Sequence, residues 1–316
     1  MQYSVVIPTN RSIAAVLPTL QSLQKQTIAA TQIIIVYDKL LTQNDYDSIH
    51  RVIRNNIQAW MIERISIVSN ISHDFEPGQW VSAVRNAWIQ HADSEYILCI
   101  DDDNTIASDC VKRLSILVKN AKEKYQQEPL IVPTEYHRNA VRSRGYSGFS
   151  YLFGIPISYH EEQWFQIGED YVGRIQFASS NCLFGHKSIF AQHPFNEKMS
   201  FVYEDFAMTA SVHRAGIPVI LAHSIIVNHH MRAKTPLEDS YIATPAFAYQ
   251  KAKNRIWFVR ILGNGRQKVV YFVLGLHIHT CALIAKTIRY APGFIPGYMI
   301  CYAIVRGTRS GLFSKK

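Results

Sequence analysis

No acidic residue follows Asp239. From Ser240 to Lys316 the chain carries twelve Lys and Arg and no Asp or Glu, whereas residues 1–239 hold the other 21 basic residues against all 24 acidic ones. The net charge of +9 therefore belongs to a basic C-terminal region set on a mildly acidic body. Cysteine is scarce and odd in number: Cys99, Cys110, Cys182, Cys281 and Cys301 include no C-x-x-C pair, so neither a disulfide framework nor a zinc site is indicated, and a reducing cytosol is expected. Met1 runs straight into the strand-like Tyr3 to Ile7 with no basic n-region or apolar h-region, so no secretory signal is expected. Internal repeats and low-complexity tracts are lacking. So is a glycine-rich loop after the first strand, where Pro8-Thr9-Asn10-Arg11 stands instead of a phosphate-cradling motif. A hydrophobic content of 48% excludes a disordered chain.

What is present in the first two-thirds is an alternation of strand and helix signals, which predicts a mostly parallel sheet flanked by helices. Ser4 to Ile7 reads as the first strand. Ser12 to Gln26 carries Ile13, Val16, Leu17, Leu20 and Leu23 at helical spacing, with Ser12 as N-cap. Strands follow at Gln32 to Tyr37 and Ile65 to Val68, with a helix between them around Tyr46 to Ile57, and a further helix is expected over Gly78 to His91. After residue 104 the pattern predicts a helix from Cys110, a strand at Leu130 to Pro133, an irregular stretch over 138–173, a strand at Phe177 to Phe184, and a helix from Glu204 to Arg214. Val219 to Ala222 and Ser224 to Val227 look extended and deliver Asn228-His229-His230.

The segment E-Y-I-L-C-I-D-D-D-N, from Glu95 to Asn104, combines a buried-strand signature with three consecutive carboxylates. On an extended backbone Asp101 and Asp103 project to one side and Asp102 to the other, and the C-terminal edge of an open α/β sheet is where ligands bind. Paired carboxylates there suit Mg2+ or Mn2+ together with a diphosphate. A plainer alternative is a polar loop that caps the helix from Cys110 through Ser108 or Asp109. Glu204-Asp205 likewise reads either as a catalytic acid pair or as two acids complementing a helix dipole. His229 and His230 point to opposite faces of a strand, so one of them at most reaches a metal.

A strand ending in P-T-N, a second strand ending in Asp38, Arg85-Asn86 ahead of the D-D-D strand, an E-D helix start and a late His resembles, in order and spacing over about residues 3–232, the family 2 glycosyltransferases of GT-A fold. The resemblance implies a Rossmann-like α/β domain. It implies a metal-dependent inverting transfer of a sugar from a nucleoside-diphosphate sugar, UDP or dTDP, to a hydroxyl of a glycan or lipid-linked glycan in surface-polysaccharide synthesis. In that frame Thr9 and Asp38 hold the base, Asn86, Asp101 and Asp102 face the donor, Asp103 and His229 ligate Mn2+ or Mg2+, and Asp205 is the base, with Glu204 its alternative or neighbour. Lys39-Leu40 after Asp38, Phe195-Asn196-Glu197 where F-D-E is common, and Ala207 two residues after the acid pair depart from the family pattern.

The organisation expected is a glycosyltransferase domain over 1–239, with a nucleotide-sugar half at 1–104 and an acceptor half at 105–239, followed by a membrane-associated helical region at 240–316. Val269 to Ala285 is an apolar run of about 17 residues, near the lower limit for a span and broken by His277 and His279. Helices lying in the headgroup region of the inner face of the cell membrane are expected, with a spanning helix or an ordinary packed subdomain as alternatives. Aliphatic runs of this density argue against a non-enzymatic nucleic-acid binder. A nucleotidyltransferase of similar fold is the nearer rival, and the missing glycine-rich loop speaks against it.

Overall fold

The computed structural model describes residues 1–69, 80–137, 140–143, 146–149, 156–158, 165–199, 202–230 and 235–313. Strand and helix alternate through the first hundred residues: β1 (Tyr3–Thr9), α1 (Ile13–Gln24), β2 (Gln32–Tyr37), α2 (Gln43–Asn56), α3 (Ala59–Ile62), β3 (Ile65–Ser69), α4 (Trp80–Gln90) and β4 (Tyr96–Ile100). The first two residues of the helix expected from Gly78 lie outside the described residues. β3, β2, β1 and β4 lie side by side, all parallel. β1 and β4 are buried along their whole length, which is why they read as unbroken apolar runs rather than as alternating ones.

The two-residue strand period divides the core. Val5, Ile7, Ile33 and Ile35 join Val16 of α1 and Ile49 of α2 on one face of the sheet. Val6, Ile34 and Val36 join Val84 of α4 on the other.

The second half continues with β5 (Asn104–Ile106), α5 (Cys110–Tyr125), β6 (Leu130–His137), β7 (Ala140–Ser143), β8 (Tyr146–Phe149), β9 (Pro156–Ser158), β10 (Phe165–Ile167), β11 (Asp170–Arg174), β12 (Cys182–His186), α6 (Lys187–Gln192), α7 (Glu204–Arg214) and β13 (Val219–His229). The main sheet runs β10-β11-β13-β6-β12-β4-β1-β2-β3. β12 is antiparallel to both β4 and β6, and β11 is antiparallel to β13 and β10. The mostly parallel sheet expected from the alternation is thus a mixed one, parallel in the first half, because β10 to β12 follow one another with no helix to carry the chain back across the sheet. The stretch expected to be irregular over 138–173 holds, in its described parts, the short strands β7 to β10 and the start of β11. The two extended pieces expected near Val219 and Ser224 are one strand with an irregularity between Ala222 and Ile226.

After the short α8 (Pro236–Asp239) the basic region folds as helices: α9 (Pro245–Leu262), α10 (Gly265–Val270), a π-turn at Tyr271–Gly275, α11 (Leu276–Tyr290) and α12 (Phe294–Phe313). α9 packs against α7 through a cluster that includes Phe177, Met199, Tyr203, Trp257, Phe258 and Tyr271. α12 runs along α9 and comes close where it carries glycine: a Cβ at Gly307 would lie 2.3 Å from the Tyr249 carbonyl oxygen. From Gly265 to Tyr290 the chain is continuously helical over 26 residues and, among the described residues, forms the one helix long and apolar enough to cross a membrane. α9 is a packed layer on the body, while Val273 of the π-turn, Ile288 of α11 and Phe294 and Ile295 of α12 are exposed.

Candidate active site

Neighbouring parallel strands β2, β1 and β4 end at one edge of the sheet, and that edge gathers Asp38, Thr9 to Arg11 and Asp101 to Asp103. The Asp38 amide donates to the Thr9 carbonyl at 3.1 Å. The Asp38 carboxyl is half-buried, and burial raises its pKa. Ladder pairing of β4 stops at Ile100, and Asp101 to Asn104 form a turn closed by the Asn104 amide on the Asp101 carbonyl at 3.3 Å. The alternation of faces expected for the three acids therefore does not hold, since it requires an extended backbone.

Each acid in this turn has its own partner. Asp101 accepts from Arg85 Nη2 at 2.7 Å. Asp102 accepts from the Thr9 hydroxyl at 2.5 Å and lies 3.8 Å from Arg11 Nη1. Asp103 accepts from Arg11 Nη2 at 2.9 Å through Oδ2, while its Oδ1 faces His229 Nε2 at 3.1 Å. The claw is thus Asp103 with His229, and Asp101 is engaged by Arg85 instead. Burial pushes Asp101 up to about 6 against the pull of Arg85. Burial also opposes ionisation of Asp103, but its bonds with His229 and Arg11 prevail and hold it below the usual carboxylate value.

His229 is set by strand register. β13 pairs with β5 so that His229 lies opposite Asn104, and the next amide, that of His230, donates to the Asp103 carbonyl at 2.8 Å. The His230 ring turns away to Thr105 at 2.7 Å, which leaves His229 as the histidine facing the acids. Its other ring nitrogen meets Glu135 at 2.6 Å, and Glu135 also accepts from Asn181 at 2.6 Å. Burial disfavours charge on His229, yet the bonds to Asp103 and Glu135 outweigh it and raise its pKa to about 9. Glu135 and Asn181 were missed by sequence reasoning. Only the parallel register of β6 with β13, which sets Val227 opposite Glu135, reveals the glutamate.

α7 begins with Glu204 and Asp205. Glu204 is buried, 7% exposed, and its Oε1 lies 3.7 Å from Arg85 Nη1. Burial first, and the neighbouring Asp205 second, raise its pKa. Asp205 is half-buried. Its Oδ1 accepts from its neighbour Phe206 at 2.8 Å, and its Oδ2 accepts from the Ser180 amide at 3.3 Å. Burial raises its pKa as well. Arg85, 4% exposed, thus stands between Asp101 of the sheet edge and Glu204 of α7, with its guanidinium over the Phe195 ring at 5.2 Å. Asn86 does not point into this group. Its amide donates to the Phe195 carbonyl at 2.7 Å and to Glu197 at 3.0 Å, and accepts from the Phe195 amide at 2.8 Å, so it ties α4 to the loop before α7.

The residues fit a divalent ion modestly. Asp103 and His229 are the converging pair, and a cation that replaces the proton between them would leave Glu135 on the other imidazole nitrogen, an arrangement that orients histidine ligands. Among the described residues no cluster of three or more His, Cys, Asp or Glu side chains forms a metal site. Remaining ligands would come from phosphate oxygens and water, as Mg2+-type ions prefer.

A mixed sheet flanked by helices, with acids lining the C-terminal edge of its parallel half and a second acid pair across from them, is a GT-A-like fold. Residues 4–126 match the family model described as glycosyl transferase family 2, in agreement with the enzyme class expected from the sequence. Among solved structures, S. aureus TarS 1–349 in complex with UDP-GlcNAc is similar at a TM-score of 0.53 and 13% identity, covering 98% of this chain and 90% of that one. Mannosyltransferase PcManGT from Pyrobaculum calidifontis, in complex with GDP-Man and Mn2+, is similar at 0.53 and 11%, covering 100% and 88%. A longer S. aureus TarS structure, at a TM-score of 0.49 and 16% identity, covers 98% of this chain, which spans 55% of that one. At these identities the likeness to TarS 1–349 and PcManGT shows the fold. No curated protein matches the sequence.

Proposed function

We propose that the chain is a metal-dependent inverting glycosyltransferase that moves a sugar from a UDP- or dTDP-sugar to a hydroxyl of a glycan or lipid-linked glycan acceptor in cell-surface polysaccharide synthesis. The observation that carries this reading is the pairing of two acid groups through one buried cation: Asp101 to Asp103 at the sheet edge and Glu204-Asp205 at the start of α7, with Arg85 between them. Thr9, Asp38, Asp101 and Asp102 would hold the donor. Asn86 would contribute by fixing the loop at Phe195 rather than by touching the nucleotide. Asp103 and His229 would hold Mn2+ or Mg2+, which as a Lewis acid offsets charge on the departing diphosphate.

Asp205 takes the proton of the acceptor hydroxyl as that oxygen attacks C1 and the bond from C1 to the diphosphate oxygen breaks. Attack from the face opposite the leaving group inverts the anomeric centre. A positioned base of this kind commonly contributes about 10²- to 10⁴-fold in rate. Glu204 is the poorer base, because it is the deeper of the two and burial with the Asp205 charge favours its protonated form. The TarS and PcManGT complexes with nucleotide sugars support the donor class. Exposed apolar residues of α11 and α12, beside Lys and Arg, support peripheral attachment to the inner face of the cell membrane.

The test is a nucleotide-release screen over nucleotide sugars with Mn2+ and Mg2+. Asp103→Ala should abolish metal-dependent turnover. Asp205→Asn should remove transfer while donor affinity stays near wild type, and an Asp205→Asn enzyme that still transfers would sink the base assignment.

A further inference from the structure

The turn that launches α7 is built against the preference of its own backbone. Val202 has φ 70° and Tyr203 has φ 75°, two consecutive non-glycine residues in the left-handed region, one of them β-branched. Such residues persist where surrounding contacts over-determine them, and they cluster at functional sites. The residue that follows is Glu204, and then Asp205.

The restraint on this turn comes from the basic C-terminal region. Asn254 of α9 is fully buried, and its Nδ2 donates to the Met199 carbonyl at 3.0 Å and the Val202 carbonyl at 3.1 Å. One amide thereby holds both ends of residues 199–202. Four residues further along the same face of α9, Phe258 stacks on Tyr203 with ring centroids 5.1 Å apart. α9 thus grips the carbonyl of one left-handed residue and the ring of the other.

We propose that Asn254 is a positioning residue for the acid pair, its amide keeping the Val202-Tyr203 turn in the conformation that presents Asp205 to the acceptor. This rests on the reading of Asp205 as the base. A catalytic group misplaced by about 1 Å costs on the order of 10²-fold, so a relaxed turn should be read in kcat and not in donor binding. It follows that the C-terminal region completes the active site in addition to any attachment role.

The test uses the full chain with the donor identified by the release screen. Asn254→Ala should lower kcat about tenfold to a hundredfold while the calorimetric donor Kd stays within about twofold of wild type. Adding Val202→Gly should restore most of the lost kcat, because glycine occupies the left-handed region without the clamp. A structural lesion would not be repaired by loosening the backbone further. If Asn254→Ala does not fold, the double variant is compared with Val202→Gly alone: equal kcat supports the clamp, and a further loss of about tenfold or more overturns it. Wild-type kcat in Asn254→Ala overturns it as well, as does a loss that Val202→Gly leaves unchanged. Asp205→Asn is assayed alongside. If that variant transfers, the base assignment fails whatever Asn254 does; if it is inactive while Asn254→Ala is normal, the positioning proposal alone fails.

Discussion

Arg85 opposes burial at two of the site's acids. It is the cation shared by Asp101 and Glu204, and it is almost fully buried; removing one partner of a buried ion pair typically costs about 3–5 kcal/mol. Arg85→Met should therefore destabilise the fold by an amount of that order, measured as a shift in urea midpoint. The loss should also depend on pH. Glu204 is held above its ordinary value, chiefly by burial, so the stability linked to it is full below about pH 4.3 and falls as pH rises through the raised value. Without Arg85 that value climbs further. Arg85→Met should accordingly go on losing stability above about pH 8, where the wild-type loss linked to Glu204 levels off, and identical pH slopes in the two proteins in that range would refute the assignment. The pairing had no trace in the sequence, where Arg85 lies about 120 residues from Glu204 and only the fold brings the two together.

Among the elements, the α9/α12 contact is the most demanding geometrically. A Cβ at Gly307 would meet the Tyr249 carbonyl oxygen at 2.3 Å, whereas one at Gly265 would meet nothing within 4 Å. Gly307→Ala must push two helix backbones apart, an overpacking cost of about 1–3 kcal/mol. Gly265→Ala should be neutral or slightly stabilising. Thermal melts of the two variants check this, and equal midpoints would show that the helices part freely. The helices themselves were legible, since α1, α2, α5 and α7 carry periodic apolar faces with recognisable ends. Glu204 to Arg214 was read residue for residue. Strands were less so beyond β4. Phe177 to Phe184 looks like one strand, but its early backbone groups bond to α7 instead: the Ala178 amide goes to Thr209 and the Ser180 amide to Asp205, and ladder pairing is confined to Cys182–His186. β7 to β10 are three or four residues each, too short for a period-two pattern to register. Thr9, the acids and His229, singled out by their order along the chain, are brought to one place by the fold. Glu135, a single glutamate inside a strand, carries no spacing signal and emerges only from register.

At the scale of the whole molecule, charge and apolar exposure coincide. The twelve Lys and Arg after residue 239 have no acid within their own region to neutralise them, and the large exposed hydrophobics concentrate between Val269 and Phe313. Phe294 is 87% exposed and Ile295 70%, at the start of α12, with Tyr298 and Met299 on the following turn. A solvated helical pair gains nothing from presenting these groups to water, whereas an anionic bilayer surface engages both: apolar insertion at up to about 1.5–3 kcal/mol per large side chain and roughly 1 kcal/mol per basic residue near the surface. Removing the region would strip α9 from α7 and take the acid pair with it, so point substitutions are the appropriate probe. Phe294→Ser with Ile295→Ser should lower co-sedimentation with anionic vesicles by about tenfold or more. It should leave donor-dependent nucleotide release unchanged, since neither residue touches α7 or α9's buried face. Binding of the wild type should also weaken as salt rises, with a screening length near 10 Å at about 0.1 M. In the double variant the residual binding should be more salt-sensitive than in the wild type, because the two most exposed side chains at the start of α12 are gone while every charge remains. Co-sedimentation unchanged by both substitutions at low and at high salt would show that the start of α12 is not the attachment surface.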